Sequence, residues 1–377
     1  MRSGVRDSPM HVLLLVRSLE RGGGERQVVE LARGLGRSGV RTTVMVMYAG
    51  GALERELDEE PEVTLVSLEK RGRWDVVGFL ARFVSAVRRL NADVVYGFMP
   101  VANELALVAG RVGKARVVWG LRSSFMDFAQ YDWLHGTMFR LGRVLSSRPE
   151  LIIANSEAGR AHHVAAGYDG QHMVVIPNGI DTARWRPAPG ARVMMRQRWG
   201  AGKGEVVAGL VGRVDAMKDH ATFLAAIRAC RVPGLRAVCI GGGDPGAVEA
   251  LRGTVEQQGL AGIVTVTGPV DDMPAAYNGL DLLVSSSLGE GFSNVIAEAM
   301  SCGVPCVVTD VGDSAVIVGS FGEVVPPRQP DAMARAIERL VSRLGAPLSL
   351  ACRARIVNDF GLDRMVQRTR EHMEALE

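Results

Sequence analysis

Two carboxylates are the first candidates for chemistry in this sequence. Glu298 lies within a short, mostly apolar helix pattern in residues 289–305, and Glu290 precedes that helix in a loop flanked by glycines. An ionised carboxylate buried without partners is costly, so Glu298 should meet a polar group. A ribose diol would suit it, because a carboxylate accepts two hydroxyl donors at once. The alternative is an exposed Glu298 and a Glu290 that is an ordinary loop charge, and this segment alone favours neither.

The start of the same helix has the features of a phosphate-binding site. The strand pattern DLLVSSS ends at Ser287, and the helix is predicted from about Ser293 to Cys302, where Gly303 and Pro305 stop it. The first N–H groups of a helix have no partner within it, and the positive end of the helix dipole lies behind them, so anions bind there. The candidate phosphate-binding residues are Gly291, Phe292, Ser293 and Asn294.

Two cations could neutralise such a phosphate. Arg213 ends the strand pattern EVVAGLVGR, and Lys218 begins the loop or helix that follows. Both are expected at the carboxyl edge of a parallel sheet, where open α/β sheets bind ligands. Because two fixed cations can replace a metal ion beside a diphosphate, we predict no metal and no cofactor; the alternative is that both are surface charges. Cys302 and Cys306 lack a second Cys or His pair, which argues against zinc.

Short β-branched runs alternate with amphipathic stretches along most of the chain, which indicates parallel sheets wrapped by helices. The pattern breaks in residues 178–204, which are rich in Pro, Gly and Arg, and then restarts. We therefore predict two doubly wound α/β domains. The predicted segments are a loose tail at 1–9, an N-terminal domain at 10–185, a C-terminal domain at 186–355 and a helix at 356–377 that packs back on the N-terminal domain. The predicted strands are HVLLLV, TTVMVM, DVVYGF, RVVWGL, LIIANS and MVVIP, then EVVAGLVGR, RAVCIGGG, IVTVTG, DLLVSSS, CVVTD and EVVPP.

The composition limits the class of protein. The chain has 377 residues, 47% of them hydrophobic, which is enough for two ordinary domains. It has no run of eighteen apolar residues and no signal-peptide pattern. Its five cysteines are odd in number and mostly lie in apolar surroundings, as free thiols of a reducing compartment do, so we expect a cytoplasmic protein. A net charge of +3 is too small to predict nucleic-acid binding.

The N-terminal domain offers a glycine-rich loop. Gly22, Gly23 and Gly24 follow the first strand pattern and would let the backbone approach phosphates and sugars closely. Dinucleotide-binding domains also carry such loops, but the next strand pattern, TTVMVM, ends without the acidic residue that binds an adenosine ribose. A nicotinamide-dependent dehydrogenase is therefore disfavoured.

An ordered set of motifs resembles the retaining GT-B glycosyltransferases of family four. The set comprises Gly22-Gly23-Gly24, Asn155-Ser156, IPNGID at 176–181, Gly212-Arg213 with Lys218, Gly241-Gly242-Gly243, Gly268-Pro269-Val270, Glu290-Gly-Phe, Glu298-Ala-Met and Gly303-Val-Pro. Each motif is weak alone, whereas the ordered set, which spans roughly residues 10–375, is strong. The resemblance implies a GT-B fold, in which two Rossmann-like domains face a central cleft.

The resemblance also implies a reaction. A sugar would pass, with retention at its anomeric carbon, from a nucleoside-diphosphate sugar of the UDP or GDP type to a glycan or lipid-linked acceptor. This is the chemistry of polysaccharide and glycoconjugate biosynthesis. The nucleotide sugar would be a substrate, not a cofactor.

The same resemblance assigns roles to the candidate residues. Arg213 and Lys218 would neutralise the leaving diphosphate. Glu290 would contact hydroxyls of the transferred sugar, and Glu298 would bind the nucleotide ribose. The other implied contacts are Gly22, Gly23 and Gly24 at the donor phosphates and sugar, and Gly268 and Val270 at the nucleobase.

Two positions depart from the family pattern. After the fourth predicted strand of the N-terminal domain many members carry a histidine, whereas this chain has Arg122, which is a candidate for binding the donor sugar or an anionic group of the acceptor. Gly312-Asp313 stands where many relatives have Gly-Gly followed by a glutamate, which could reflect the choice of donor sugar.

Residues 71–90 form an amphipathic pattern in which Trp74, Phe79 and Phe83 are interleaved with arginines. Such a helix could lie on an anionic bilayer, and the protein would then be peripheral at the inner face of the membrane. The pattern favours the other interpretation, a helix that covers the N-terminal sheet with its arginines in water.

Two other functions are compatible with these residues. A sugar-nucleotide epimerase on the same fold would release an epimerised nucleotide sugar from the donor alone, whereas a transferase would slowly hydrolyse it. A non-catalytic module that binds nucleotide sugars has no evident need for Glu290, Glu298 and both cations together, so the set favours an enzyme.

Overall fold

The computed structural model describes residues 9–72, 74–122 and 133–376. The predicted tail at 1–9 lies, apart from Pro9, outside these residues. The chain forms two compact units: the N-terminal unit ends at Gly179 and resumes at Leu362, and the C-terminal unit is Ile180–Gly361. These boundaries differ from the predicted ones, which followed residues 185 and 355.

A parallel sheet forms the centre of the N-terminal unit. Its strands are β1 (His11–Val16), β2 (Arg41–Val46), β3 (Val63–Ser67), β4 (Val94–Phe98), β5 (Arg116–Leu121), β6 (Leu151–Ala154) and β7 (Met173–Val175). Across the sheet the order is β3-β2-β1-β4-β5-β6-β7. The chain thus turns from one edge to the other between β1 and β4, which is the switch point of a doubly wound sheet.

Helices cover both faces of this sheet. They are α1 (Gly23–Arg37), α2 (Arg55–Asp58), α3 (Val76–Leu90), α4 (Ala102–Gly113), α5 (Trp133–Leu145) and α6 (Glu157–Ala165). On one face Leu14 of β1 packs in a cluster with Val28 of α1, and on the other Leu13 packs in a cluster with Phe83 of α3. Because every residue of β1 is buried, the strand after His11 is a continuous apolar run without alternation.

Strand β3 was not among the predicted strands. It pairs only with β2 at the edge of the sheet, and none of its residues is fully buried. An edge strand that is half exposed lacks the continuous apolar signal of the central strands.

Helix α3 covers the sheet, as the favoured interpretation of residues 71–90 predicted. Phe79, Phe83 and Val87 are buried against the strands, while Trp74, just before the helix, is 89% exposed. None of the helices in the described part of the chain has the length and apolar character to cross a bilayer. Peripheral membrane contact stays a prediction, which salt-sensitive co-sedimentation with anionic vesicles would test.

The C-terminal unit contains the six strands predicted for it. Its helices are α7 (Pro189–Arg198), α8 (His220–Ala229), α9 (Pro245–Gln257), α10 (Met273–Gly279), α11 (Asn294–Ser301), α12 (Ser314–Val318), α13 (Pro330–Val341) and α14 (Ala346–Phe360). Its strands are β8 (Val206–Val211), β9 (Leu235–Ile240), β10 (Val264–Gly268), β11 (Leu282–Ser285), β12 (Cys306–Thr309) and β13 (Glu323–Val325). The order β10-β9-β8-β11-β12-β13 is again doubly wound, with its switch point between β8 and β11.

Helix α7 and most of helix α14 lie outside the helices predicted from the sequence. Helix α7 occupies part of the predicted break at 178–204, and its Met195 is buried in the core of the unit. Helix α14 contains the predicted boundary at 355 and ends at Phe360, so the boundary moves beyond it. Both were missed because apolar residues also lie on their exposed sides, such as Val193 in α7 and Val357 in α14, which blurs the single apolar stripe of an amphipathic helix.

The chain returns to the N-terminal unit with α15 (Leu362–Glu374). Met365, Val366 and Met373 are buried in the same cluster as α1. A Cβ atom on Gly34 of α1 would lie 2.2 Å from a methyl carbon of Val366, so the absence of a side chain there lets α15 approach closely. The last helix of the chain is therefore part of the core of the first unit.

Candidate functional site

The switch point of the C-terminal unit brings two predicted groups of residues together. Strand β8 ends at Val211 and its neighbour β11 ends at Ser285, so the loops that follow them lie at the same edge of the sheet. Arg213 and Lys218 belong to the first loop, and Glu290 belongs to the second. Ligands of doubly wound sheets bind at this position.

Hydrogen bonds tie the two loops to each other. The Leu288 amide donates to the Met217 carbonyl at 2.8 Å, and the Ser286 hydroxyl donates to the Lys218 carbonyl at 2.7 Å. Asp215 caps the short helical turn at 216–218 by accepting the amides of Met217 and Lys218. The backbone of Lys218 is therefore fixed before any ligand binds.

Lys218 and Glu290 form an ion pair at this edge. The Nζ atom of Lys218 lies 2.5 Å from Oε1 of Glu290, and the two side chains are 21% and 14% exposed. Their predicted roles lie at different parts of a substrate, and the contact between the two side chains was not predicted. The pair holds a positive and a negative group at defined positions while leaving each partly open to a ligand.

Arg213 is less constrained. Its side chain is 80% exposed and forms an ion pair with Asp215 at 3.2 Å. No contact between Arg213 and the Lys218–Glu290 pair occurs among the described residues. Because an exposed ion pair of this kind is worth little, the guanidinium is available to a ligand at small cost.

The start of α11 follows the loop that carries Glu290. Ser293 is its N-cap residue, and its side chain makes no capping bond within the described structure. The role predicted for Phe292 uses its backbone amide; its ring is buried in the core, 5.3 Å from the ring of Phe360, so only its backbone is left for a ligand. The segment that follows β12 also supports this loop, because the Asp313 amide donates to the Gly291 carbonyl at 3.0 Å.

Gly312 makes that support possible. Its φ is +55°, and a Cβ atom on it would lie 2.3 Å from the Glu290 carbonyl oxygen and 2.5 Å from that of Gly291. These neighbours are backbone atoms that cannot move aside without shifting the loop. The absence of a side chain at Gly312 thus lets the backbone of the Glu290 loop pack directly against it.

The turn that contains Gly268 and Val270, which was predicted to contact the nucleobase, lies at the end of β10. The Gly241 amide, after β9, donates to the Gly268 carbonyl at 3.0 Å, and Val270 packs partly buried against the core of the unit. Gly268 and Val270 are therefore at the carboxyl edge of the same sheet as Lys218.

Glu298 has a partner that sequence reasoning missed. The hydroxyl of Tyr277, in α10, donates to Oε2 of Glu298 at 2.9 Å. Tyr277 is fully buried, and its ring meets Trp185 edge-on at 5.5 Å between centroids. Burial, together with the neighbouring Glu298 carboxylate, raises the pKa of Tyr277 well above its usual value, so the phenol stays protonated as a donor. Glu298 is half-buried and partnered, which agrees with the expectation that it meets a polar group.

Replacing Tyr277 with phenylalanine should weaken nucleotide binding about fivefold to tenfold, if Glu298 binds the ribose. The substitution keeps the ring and removes the hydrogen bond that orients the Glu298 carboxylate. Such a hydrogen bond is worth about 1–1.5 kcal/mol. Titration calorimetry with a nucleoside diphosphate and its 2′,3′-dideoxy form is the measurement. The matched control is Tyr168→Phe, which removes a buried hydroxyl bonded to the Phe139 carbonyl in the other unit. Equal weakening for both nucleotides would contradict the orienting role.

In the N-terminal unit, the glycine loop lies at the switch point between β1 and β4. Gly22 is the N-cap residue of α1, which begins at Gly23. A Cβ atom on Gly24 would lie 3.1 Å from the sulfur of Met99, in the loop after β4. Gly24 therefore also has a packing reason, and no described contact joins the glycines at 22–24 to Arg122.

Arg122 follows β5 directly. Its guanidinium donates to the Asn178 side-chain oxygen at 2.8 Å and to the Tyr96 hydroxyl at 3.0 Å, and it lies over the ring of Phe98. Arg122 was a predicted site residue, whereas its three neighbours were not. Tyr96 and Phe98 could have been found as alternate residues of β4 that share one face of the sheet.

Acidic, histidine and cysteine side chains form no cluster of three or more suited to a metal ion in the described parts of the chain. Cys302 and Cys306 are buried free thiols, and burial raises the pKa of the Cys302 thiol to about 12. A metal-independent reaction stays a prediction.

Two doubly wound Rossmann-like units in one chain define the GT-B class, and solved structures confirm this fold. The chain matches Anabaena HepE, solved in complex with UDP, with a TM-score of 0.85 and 23% identity, covering 97% of this chain and 100% of that one. It matches WaaG, a glycosyltransferase involved in lipopolysaccharide biosynthesis, with a TM-score of 0.72 and 15% identity, covering 96% and 99%. At these identities the likeness is one of fold.

Family models identify the group within that class. A model described as Glycosyltransferase Family 4 matches residues 21–184, and one described as Glycosyl transferases group 1 matches residues 205–343. Together they match more than half of the chain. The chain belongs to the family 4, group 1 glycosyltransferases, which confirms the resemblance.

Curated relatives are similar over most of the chain. The D-inositol 3-phosphate glycosyltransferase of Rhodococcus erythropolis is 27% identical over 360 residues, covering 88% of this chain and 80% of that protein. The GDP-mannose-dependent alpha-(1-6)-phosphatidylinositol monomannoside mannosyltransferase of Mycobacterium tuberculosis is 29% identical over 273 residues, covering 68% and 69%.

Proposed function

We propose that this glycosyltransferase moves a sugar, with retention at its anomeric carbon, from a nucleoside-diphosphate sugar to a glycan or lipid-linked acceptor. The observation that carries the proposal is the Lys218–Glu290 pair at the switch point of a doubly wound sheet, beside the start of α11. An ammonium, a carboxylate and a helix N-terminus together match a diphosphate and the hydroxyls of a sugar.

In this proposal the C-terminal unit binds the donor. The bond between the anomeric carbon and the diphosphate breaks, the acceptor oxygen forms the new bond on the same face, and its proton passes to the departing phosphate oxygen. Lys218 and Arg213 stabilise the charge that grows on the diphosphate, so no metal is needed. Glu290 orients the sugar through its hydroxyls, and Glu298, held by Tyr277, binds the ribose.

The backbone supplies the remaining donor contacts. The amides of Gly291, Phe292, Ser293 and Asn294 face the phosphates, and the turn at Gly268 and Val270 lies against the nucleobase. The glycines at 22–24 approach the donor phosphates and sugar, and Arg122 contacts a sugar substrate.

The donor is a UDP or GDP sugar, and relatives support both. HepE has been solved in complex with UDP-glucose, while the mycobacterial relative is named as GDP-mannose-dependent. The relatives named as D-inositol 3-phosphate glycosyltransferases support a polar acceptor. We propose that the transfer reaction takes place in the cytoplasm, where nucleotide sugars are used for polysaccharide or glycoconjugate synthesis.

A thermal-shift panel of nucleoside diphosphates and their sugars tests the donor. A ligand at a hundred times its Kd should stabilise the protein by about 2.7 kcal/mol. At equal concentration we expect a larger shift with UDP or GDP compounds than with the matching nucleosides, which keep the ribose and base but lack the diphosphate. Equal shifts for nucleoside and nucleotide would contradict the phosphate site.

Product analysis with the donor so identified tests the reaction. With donor alone, slow release of free sugar is expected, and the configuration of the bond formed to an acceptor reports retention. An epimerised nucleotide sugar would instead favour the epimerase, and an unchanged donor in the presence of a broad acceptor set would favour the binding module.

A further inference from the structure

Arg122 is a half-buried cation whose described partners are all neutral. Its Nη1 atom donates to Asn178 at 2.8 Å and its Nη2 atom to Tyr96 at 3.0 Å, while its Cζ lies 4.6 Å from the centroid of the Phe98 ring. Asn178, Tyr96 and Phe98 are themselves buried. The guanidinium is thus fixed on three sides by rigid groups of the sheet and the loop after β7.

None of these neighbours can become a counter-ion. Burial raises the pKa of Tyr96 above its usual value, so its hydroxyl remains a neutral phenol at physiological pH. No described carboxylate lies within ion-pair distance of Arg122, in contrast to the half-buried Arg33, which meets Glu60 at 2.7 Å. A cation partly removed from water without a counter-ion costs stability, and an anionic ligand would recover that cost.

The guanidinium also retains hydrogen-bonding capacity. Of its five N–H groups, two are used by Asn178 and Tyr96, and the buried Nε has no partner among the described residues. One N–H group is therefore left on each Nη atom. Planar guanidinium groups bind phosphate and carboxylate through two such N–H groups, with more directional contacts than an ammonium would make.

We propose that Arg122 binds a phosphate or carboxylate group carried by one of the sugar substrates, so that the enzyme selects an anionic sugar. The inference rests on the proposed function, since it assumes that β5 ends where a sugar substrate lies. It names the chemical class of that substrate, which neither the family nor the fold determines.

The test measures binding to the full-length protein in two arms. In the acceptor arm, myo-inositol 3-phosphate and glucose 6-phosphate are compared with myo-inositol and glucose, with the donor site saturated by UDP or GDP so that phosphate cannot bind at Lys218. In the donor arm, a nucleotide-linked uronate is compared with the matching neutral hexose. We expect at least a tenfold preference for the charged ligand in one arm, and the arm that responds identifies which substrate carries the anion.

Two substitutions assign that preference to Arg122. Arg122→Gln keeps hydrogen-bonding capacity toward Asn178 and Tyr96 but removes the charge, so the preference should vanish. Arg122→Lys keeps the charge and should retain part of it. A preference that survives Arg122→Gln, or no preference in either arm, would overturn the proposal and leave Arg122 as a structural link between strands.

Nucleotide binding separates this proposal from the proposed function. UDP or GDP should bind both variants as it binds the wild type, because Lys218, Glu290 and Glu298 belong to the other unit; this also shows that the variants fold. If no nucleotide binds the wild type, the proposed function fails. If nucleotides bind and the charged ligands are not preferred, only the role of Arg122 fails.

Discussion

Replacing Lys218 with alanine is expected to lower kcat/KM by about a hundredfold to a thousandfold. The ammonium is the cation held most firmly at the proposed diphosphate position, and removing one preorganised electrostatic contact to a developing charge has this size of effect. The loss is compounded because Glu290, only 14% exposed, is left without its counter-ion and then repels the donor phosphates. Steady-state kinetics with the donor identified by the nucleotide panel is the measurement.

Three further variants make this result specific. Lys203→Ala removes an exposed lysine in the loop before β8 and should leave the rate unchanged. Lys218→Arg keeps a positive charge and should retain more activity than Lys218→Ala. Glu290→Gln should also be slow, because the sugar loses its carboxylate contact. Near-normal rates in both Lys218→Ala and Glu290→Gln, with folding intact, would refute the assigned roles.

Replacing Gly312 with alanine is expected to lower the free energy of unfolding by about 2–4 kcal/mol. A φ of +55° costs an alanine about 1 kcal/mol, and forcing its Cβ atom against two carbonyl oxygens adds about 1–3 kcal/mol. Because those carbonyls belong to Glu290 and Gly291, relief of the clash must displace the carboxylate from Lys218. Denaturant unfolding and steady-state kinetics should therefore both report a defect.

Gly259→Ala is the matched control for that prediction. Gly259 lies in the same unit with a φ of +69°, and a Cβ atom on it would meet nothing within 4 Å. The control isolates the cost of the backbone conformation and should destabilise by about 1 kcal/mol with normal activity. Equal effects of the two substitutions would mean that the contact between Gly312 and the Glu290 loop contributes nothing.

The sequence predicted which strand ends carry the candidate site residues, but it did not predict the contacts between those residues. Arg213, Lys218 and Glu290 could be assigned to strand ends because parallel strands place their carboxyl ends at one edge, whatever the loops do. That Lys218 touches Glu290 depends on two loops held together by bonds such as that from Leu288 to Met217. Such bonds join residues far apart in the chain and leave no local pattern.

The same limit explains what was missed. Tyr277 lies in an apolar stretch where a tyrosine is normally read as core, and only the tertiary structure brings its hydroxyl to Glu298. Helix α7 and most of helix α14 were missed because their apolar residues are not confined to one stripe, and strand β3 was missed because it is half exposed. Strong periodicity predicted the elements well, whereas contacts and irregular helices required the folded chain.

The membership of α15 in the first unit has a consequence for synthesis. A ribosome makes β1 before the second unit and Met373 after it, yet both belong to one buried cluster. Residues up to Gly179 therefore leave the exit tunnel with part of their apolar surface uncovered, and that surface stays exposed while the entire second unit is translated. Helix α15 can complete the core of the first unit only after residues 180–361 have been synthesised.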